Sequence, residues 1–365
     1  MSSSWNSSVS FSLFGESHGA AIGGVIDGLP PGIAIDMEAV RRQMERRKPG
    51  KEAFSTKRQE EDEVEIISGY FNGFTTGTPL AFLIKNKDQK SKDYESIKER
   101  IRPGHADFSA AFRYKGFQDY RGGGHFSGRL TAPLVFYGAI AKSFLKERFG
   151  IEVIAKIEGI AAIEDDSVRL EDMEETLAQL SKESSRFPVV NENKKAKMIQ
   201  AIEEAAKSKD SLGGVIRCFA TKVMPGLGDP FFDSLESKLA HMIFSVPAVK
   251  GLSFGKGFDL SNMKGSEAND SYYYDENQKI LSQTNNNGGI LGGISTGMPI
   301  DFKVAFKPTP SIAKKQKTLN LQKKENTELE ITGRHDPCIV PRALPVVESC
   351  MAIVLFEQLA WKGME

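Results

Sequence analysis

Three short islands constrain this chain more than its composition does: Gly15-Glu16-Ser17-His18-Gly19, Arg102-Pro103-Gly104-His105-Ala106-Asp107 and Gly333-Arg334-His335-Asp336-Pro337. Glycine and proline fix tight turns, so each island is a loop between regular elements rather than part of a helix or central strand. They hold three of the five histidines. Histidine is the side chain most easily poised to move a proton near neutral pH. The islands therefore read as loops that present acid–base groups beside fixed cations, the layout of an anion-processing site.

Charge typing supports this. Lys+Arg 48 balances Asp+Glu 48, which disfavours a nucleic-acid or membrane-surface binder. Arginine is nonetheless concentrated: Arg41, Arg42, Arg46, Arg47 and Arg58, then Arg100, Arg102, Arg113, Arg121 and Arg129, with Arg334 and Arg342 flanking the third island. The guanidinium fork suits bidentate capture of carboxylate or phosphate, whereas the lysines of 142–209 and 311–325 suit a solvated surface. No apolar run is long enough to span a bilayer. The start, Met1-Ser-Ser-Ser-Trp-Asn, lacks a basic and an apolar signal region. Cys218, Cys338 and Cys350 show neither metal-ligand spacing nor a disulfide framework. A cytoplasmic protein with free thiols is expected.

The pattern predicts helices over 36–47 (Asp36 as N-cap, Pro49-Gly50 as stop), 133–149, 168–182, 194–208, 233–244 and 341–361. Strands are expected over 8–14, 20–27, 63–69, 78–85, 151–158, 214–223, 249–254 and 298–306. Residues 259–286 and 307–330 read as long polar loops. An internal repeat is visible: Gly73-Phe-Thr-Thr-Gly-Thr-Pro-Leu-Ala-Phe-Leu-Ile84 aligns with Gly293-Ile-Ser-Thr-Gly-Met-Pro-Ile-Asp-Phe-Lys-Val304. Upstream, Gly23-Gly24-Val-Ile and Gly28-Leu29 echo Gly213-Gly214-Val-Ile and Gly226-Leu227. With no linker after either half, one α+β domain over 1–365 is expected, with antiparallel sheets, helices and related units about 20–85 and 213–305.

His105 has a neighbouring Asp to orient its ring and a neighbouring Arg to hold an anion. Gly122-Gly123-Gly124, ahead of a helix, offers backbone N–H groups to a phosphate, though without P-loop or dinucleotide spacing. A Ser17–His18 nucleophilic pair is disfavoured, because adjacent residues on an extended chain point apart. His18, His105, His125 and His335 show no metal-binding spacing, and His241 reads as structural. Gly288-Gly289-Ile-Leu-Gly292-Gly293 would admit a flat ligand, and Lys307-Pro-Thr-Pro-Ser311 a phosphate or ribityl chain. The sum is an arginine-lined, glycine-floored pocket for a polyanionic small molecule.

These motifs, with Asp27-Gly-Leu-Pro-Pro-Gly32, Arg46-Arg-Lys-Pro-Gly50, Asp119-Tyr-Arg-Gly-Gly-Gly124 and Gly333-Arg-His-Asp-Pro-Cys338, follow one family's order over nearly the whole chain. The chain resembles chorismate synthase. The resemblance implies a β-α-β sandwich with antiparallel sheets around central helices and pseudo-symmetric halves, assembled as a homotetramer. It implies a 1,4-anti elimination of phosphate from 5-enolpyruvylshikimate 3-phosphate, the last step of the shikimate pathway, without net redox change yet requiring reduced FMN. NADPH is a candidate reductant.

By the same resemblance His18 matches the histidine at the leaving phosphate, and His105 the one near the flavin. Asp336 matches the carboxylate that assists flavin N5 in removing the C6 proton. FMN-contact positions fall on His125, Phe126, Ser127, Pro247, Ala248, Gly292, Lys307, Pro308, Thr309, Pro310, Ser311 and Arg334. Arg47 matches a position for NADP or substrate phosphate, and Arg102, Arg121 and Arg129, with Arg334, surround the substrate's anionic groups. The chain departs from many members at His125-Phe126 (Arg-Ser), at Ala53 (an arginine) and at Asn285-Asn286-Asn287 (a Ser-Asn-His-Ala pattern). Two rival classes are a flavin oxidoreductase, which would consume its reduced flavin, and an RNA-binding module, against which the zero net charge weighs.

Overall fold

The computed structural model describes residues 3–50, 61–87, 99–182, 186–331 and 335–361. Its helices are α1 (Met37–Arg47), α2 (Asp107–Arg113), α3 (Thr131–Phe149), α4 (Met173–Lys182), α5 (Glu192–Lys207), α6 (Leu235–Phe244), α7 (Gly265–Ala268) and α8 (Val340–Leu359). The first strands are β1 (Ser4–Trp5), β2 (Ser10–Gly15), β3 (Ala21–Asp27), β4 (Val64–Ser68), β5 (Tyr70–Phe71), β6 (Phe74–Thr75) and β7 (Leu80–Lys85). Then come β8 (Glu152–Ile160), β9 (Ile163–Glu164), β10 (Gly214–Thr221), β11 (Val249–Phe254), β12 (Tyr272–Tyr274) and β13 (Ile280–Ser282). The last are β14 (Ile290–Leu291), β15 (Ile294–Ser295), β16 (Ile300–Phe306), β17 (Gln316–Asn320) and β18 (Glu325–Leu329).

The long elements follow their sequence signals. Asp36 accepts hydrogen bonds from the N–H groups of Glu38 and Ala39 at the start of α1, and Gly150 ends α3 in the left-handed conformation that glycine tolerates best. Two regions correct the expectation of loops. Residues 307–330 contain the β17–β18 hairpin, and 259–286 contain α7 and the β12–β13 hairpin. Their strands lack the alternation of apolar and polar residues that announces a half-buried strand. The β17–β18 ladder is mostly polar, whereas β12–β13 sets the exposed Tyr272–Tyr274 against Ile280–Ser282.

Two five-stranded antiparallel sheets have matching orders, β1-β2-β3-β7-β4 and β9-β8-β10-β16-β11. The repeat extends to single hydrogen bonds. Thr75 Oγ1 donates to Pro30 O and accepts from Ile33 N–H, while Thr75 N–H and O pair with Ile33 O and Gly32 N–H. Ser295 makes the same four contacts with Met224 O, Leu227 N–H, Leu227 O and Gly226 N–H. Ile33 thus corresponds to Leu227. The register lies four residues from the alignment that the glycine pairs suggest, because Gly23-Gly24 lie inside β3 while Gly213-Gly214 stand at the start of β10.

Between the sheets lie α1, α3, α6 and α8. Helix α8 is buried along nearly its whole length, and α3 is buried on all sides over its first three turns, as expected of helix segments with no solvent face. They cross at Gly138, where a Cβ would lie 2.1 Å from Ser349 Cβ. Within this apolar layer Glu348 of α8 accepts from Arg46 of α1 at 2.6 and 2.8 Å, from Lys142 of α3 and from Ala155 N–H of β8 at 3.0 Å. Burial works against its charge, but the two cations hold its carboxyl down at about 2.

Candidate active site

The first island follows β2, which ends at Gly15 with φ +105°. Gly19 N–H bonds back to Glu16 O at 3.0 Å, and the Asn86 amide donates to Glu16 O and Gly19 O at 3.0 and 2.8 Å. The turn corrects one expectation. Ser17 and His18 do not point apart, because the chain is no longer extended there; Ser17 Oγ lies 3.1 Å from His18 Nδ1 and donates to Arg121 O at 3.2 Å. His18 is buried.

The triple glycine joins the first two islands. A Cβ on Gly122 would lie 2.2 Å from His18 Nδ1, and one on Gly123 would lie 3.1 Å from His105 Nε2. Both residues have positive φ, +64° and +111°. Only glycine fits both the backbone and the space, so residues 122–123 run as a bare strip of main chain with His18 against Gly122 and His105 against Gly123.

The second island closes on itself. Asp107 accepts from Arg102 N–H at 3.0 Å, Arg102 Nε at 2.7 Å and Arg102 Nη2 at 2.7 Å, and its Oδ1 lies 2.6 Å from His105 Nδ1. Burial opposes the Asp107 charge, yet the hydrogen bonds from Arg102 and His105 hold this carboxyl well below the usual range. Lys307 Nζ donates to Gly104 O, Lys307 N–H to Ala248 O at 3.0 Å, and a Cβ on Gly104 would lie 3.3 Å from Pro310. Segments 247–248 and 307–311 therefore stand against the His105 loop. Burial, and the charge of Lys250, lower the Lys307 pKa. Ser211 Oγ donates to Thr309 O at 2.7 Å, whereas Thr309 Oγ1 is buried without a hydrogen-bond partner among the described residues.

The other expected flavin positions divide. His125 donates through Nδ1 to Gly15 O at 2.9 Å and accepts at Nε2 from Ser3 Oγ at 2.8 Å, so it braces the His18 turn. Phe126 lies 6.1 Å from the Tyr114 ring, and Ser127 Oγ accepts from Arg129 N–H. Gly292 sits elsewhere. Its hairpin packs on Asp229 and Ser234 at the start of α6, beyond the Ile300 end of β16, whereas Lys307 follows the Phe306 end. A Cβ on Gly292 would meet nothing within 4 Å.

Each described arginine of the expected substrate set has a carboxylate partner. Arg121 holds Asp119 through two bonds of 2.9 and 2.8 Å; these, more than any other contact, keep the Asp119 carboxyl below its usual range. Arg47 and Arg129 share Asp62, a buried residue at φ +53°, with Arg47 Nη2 at 2.7 Å from Oδ2 and Arg129 bonded to Oδ1. Burial raises the Asp62 pKa, but the two guanidiniums win and hold it at about 2. Arg129 Nε also donates to Asn86 Oδ1 at 3.0 Å, linking Asp62 to the His18 turn. Asp336 pairs with Arg342, whose Nε donates to Arg47 O at 3.0 Å. Arg334, Ala53 and Arg58 lie outside the described residues. Sequence reasoning missed Asp62 and Asn86. Asp62 sits in Glu60-Glu61-Asp62-Glu63, which reads as a solvated acidic run, and nothing local marks Asn86.

A sequence model described as chorismate synthase matches residues 9–360. Chorismate synthase of Thermococcus gammatolerans is 48% identical over 359 residues, covering 97% of this chain and 98% of its own. That of Methanocaldococcus jannaschii is 46% identical over 360 residues, covering 96% and 94%. A crystal structure of chorismate synthase superimposes with TM-score 0.74 at 28% identity, covering 97% of this chain and 92% of the other.

Proposed function

Since this chain belongs to the chorismate synthase family, we propose that it converts 5-enolpyruvylshikimate 3-phosphate to chorismate and phosphate by 1,4-anti elimination, with reduced FMN, as the last step of the shikimate pathway. It is a carbon–oxygen lyase. The observation that supports the reading is the glycine strip 122–123, where His18 lies against Gly122 and His105 against the adjacent Gly123.

In this reading His18 supplies a proton to the departing phosphate, and the Ser17 hydroxyl beside its Nδ1 sets the ring. Arg121, the most exposed of the described arginines of the set, meets a substrate anion, with Arg102 and Arg129 behind it and Arg334 as a further contact. Asp336 holds the proton removed from C6, its charge kept in place by Arg342. Arg47 acts indirectly, by fixing Asp62 and Arg129; contact with a phosphate of substrate or NADPH would require Asp62 to let go.

The residues suit a flavin in two groups. Pro247-Ala248 and Lys307 to Ser311, with the unpartnered Thr309 hydroxyl, form one beside His105, where Lys307 would face the cofactor phosphate. His125, Phe126 and Ser127 lie beside the His18 turn. Reduced FMN, when bound, supplies electron density that lets the carbon–oxygen bond break without net oxidation. Gly292 stands about one α6 length away, so it would reach the same cofactor only across a subunit boundary, in keeping with a homotetramer. Phe231, Phe232 and Phe258, each more than four-fifths exposed, are the apolar surface such an assembly would cover. Three buried, unbridged thiols suit the cytoplasm, and no helix among the described residues is long and apolar enough to cross a membrane. The test is an anaerobic assay with chemically reduced FMN. Equal amounts of chorismate and phosphate with all flavin still reduced are expected; flavin consumed in step with substrate would make the protein an oxidoreductase instead.

A further inference from the structure

We propose that Asp107 is a positioning residue that fixes the proton of His105 on Nδ1, and so makes Nε2 the atom through which this histidine exchanges protons in the site. The inference rests on the reading of His105 as an active-site residue.

Two groups compete for Nδ1 and demand opposite tautomers. Arg102 Nη2, 3.1 Å away, can only donate and would require a bare nitrogen. Asp107 Oδ1, 2.6 Å away, can only accept while ionised and requires Nδ1–H. The competition is unequal. Arg102 Nη2 already has a better acceptor in the same Asp107 Oδ1 at 2.7 Å, a charge-assisted bond stronger than one to a neutral ring. Turning from the ring costs the guanidinium little, whereas the carboxylate would forfeit its short contact and face a lone pair. Asp107 stays charged because Arg102 clamps it through three N–H groups. The arrangement is contained in six residues, with the turn closed by His105 N–H to Arg102 O at 3.2 Å. Proton on Nδ1 leaves Nε2 as the acceptor. That edge of the ring faces Gly123, which has no side chain to cover it.

The test reads the ring nitrogens directly. The full chain, labelled with 15N-histidine, is observed by two-bond proton–nitrogen correlation above the titration range of imidazole, and the His105 signals are identified by their loss in His105→Gln. The wild type is expected to show Nδ1 protonated and Nε2 bare. In Asp107→Asn the neutral amide no longer outbids Arg102, and the proton moves to Nε2. A wild-type His105 with its proton on Nε2 overturns the proposal, and this needs no variant of Asp107 to fold. So does an Asp107→Asn protein whose tautomer is unchanged while activity and melting temperature fall together, since that marks a scaffold role only. With the tautomer reversed, kcat should fall about 10²-fold, the scale of a positioned acid–base group, with KM little changed. If His105→Gln keeps full kcat, the active-site reading of His105 falls while the tautomer result stands.

Discussion

The two halves of the molecule have matching strand orders but differ in where their cations lie. Thr75 and Ser295 occupy the same place in the same set of hydrogen bonds, and each half runs strand, helix, edge strand, hairpin, strand. Yet α1 ends in Arg46-Arg47, whereas α6 ends in Ile243-Phe244. From adjacent positions the two arginines serve different ends. Arg46 turns into the helix layer to meet Glu348, and Arg47 turns toward the loops to meet Asp62. The repeated hydrogen bonds build a scaffold that either half could provide. Buried ion pairs occur in both halves, Lys156–Asp165 and Arg217–Asp301 in the second, but it is the Arg47–Asp62–Arg129 cluster of the first that reaches, through Asn86, the loop carrying His18.

The comparison breaks most severely at Glu348. Glu348→Ala leaves Arg46 and Lys142 buried without a counter-charge, and losing one partner of such a cluster costs about 3–5 kcal/mol. A fall of that size in unfolding free energy, read from denaturant titration, is expected. A loss below about 1 kcal/mol would mean that water reaches the cations and that the cluster does not organise the layer.

Asp62→Asn should cost less, about 2–3 kcal/mol, the worth of charged hydrogen bonds. Arg47 keeps contacts to Gly128 O and Thr131, and Arg129 keeps Asn86 and Lys85 O. The loss of kcat/KM should exceed what unfolding explains, since Asn86 carries the His18 turn. Equal damage to stability and activity would place Asp62 with Glu348 as a purely structural carboxylate. Both carboxyls are held at about 2 against ordinary values of 3.8 and 4.5. Their stabilisation is complete above those ordinary values and is lost as pH falls toward 2.

Glu357, nine residues after Glu348 on α8, lacks the two cations that Glu348 has. It is also buried, though less deeply than Glu348, and has the Trp5 indole, a serine hydroxyl and the distant charge of Lys238 of α6 as partners. Burial therefore wins and pushes its carboxyl up to about 7. Between pH 4.5 and 7 the unfolded chain gives up this proton while the folded one keeps it, so stability falls as pH rises through that window. The fall is on the order of 3 kcal/mol. Glu357→Gln should flatten that slope and raise the melting temperature above pH 7. An unchanged slope would show that the charge is accommodated.

What the sequence revealed follows the same division. Elements with local signals were legible: Asp36 and Gly150 mark helix ends because capping is a matter of a few residues. The repeat was legible at Gly73 and Gly293, where hairpins demand glycine, and misread by four residues upstream, where glycine pairs carry no frame. Asp62 and Asn86 were not legible, because their partners are remote in sequence and a buried acid in an acidic run looks like a solvated one. The arginines stood out, but their carboxylates decide what they are left to bind.

The smallest effect tests the scaffold itself. Thr75→Val and Ser295→Ala each remove a hydroxyl that both donates and accepts, with little change of shape. Each leaves a backbone N–H without its side-chain acceptor, at Ile33 or Leu227, and a carbonyl without its donor, at Pro30 or Met224. Both hydroxyls belong to buried residues, so either change should cost about 1–2 kcal/mol. The two costs should match within about 0.5 kcal/mol, and the double variant should show their sum, since the sites share no partner. If Thr75→Val cost far more than Ser295→Ala, the halves would differ in scaffold as well as in charge. Their likeness in hydrogen bonding would then be one of form and not of energy. Equal and additive costs would establish that the two halves are alike in the energy of this hydrogen-bonded scaffold as well as in its form.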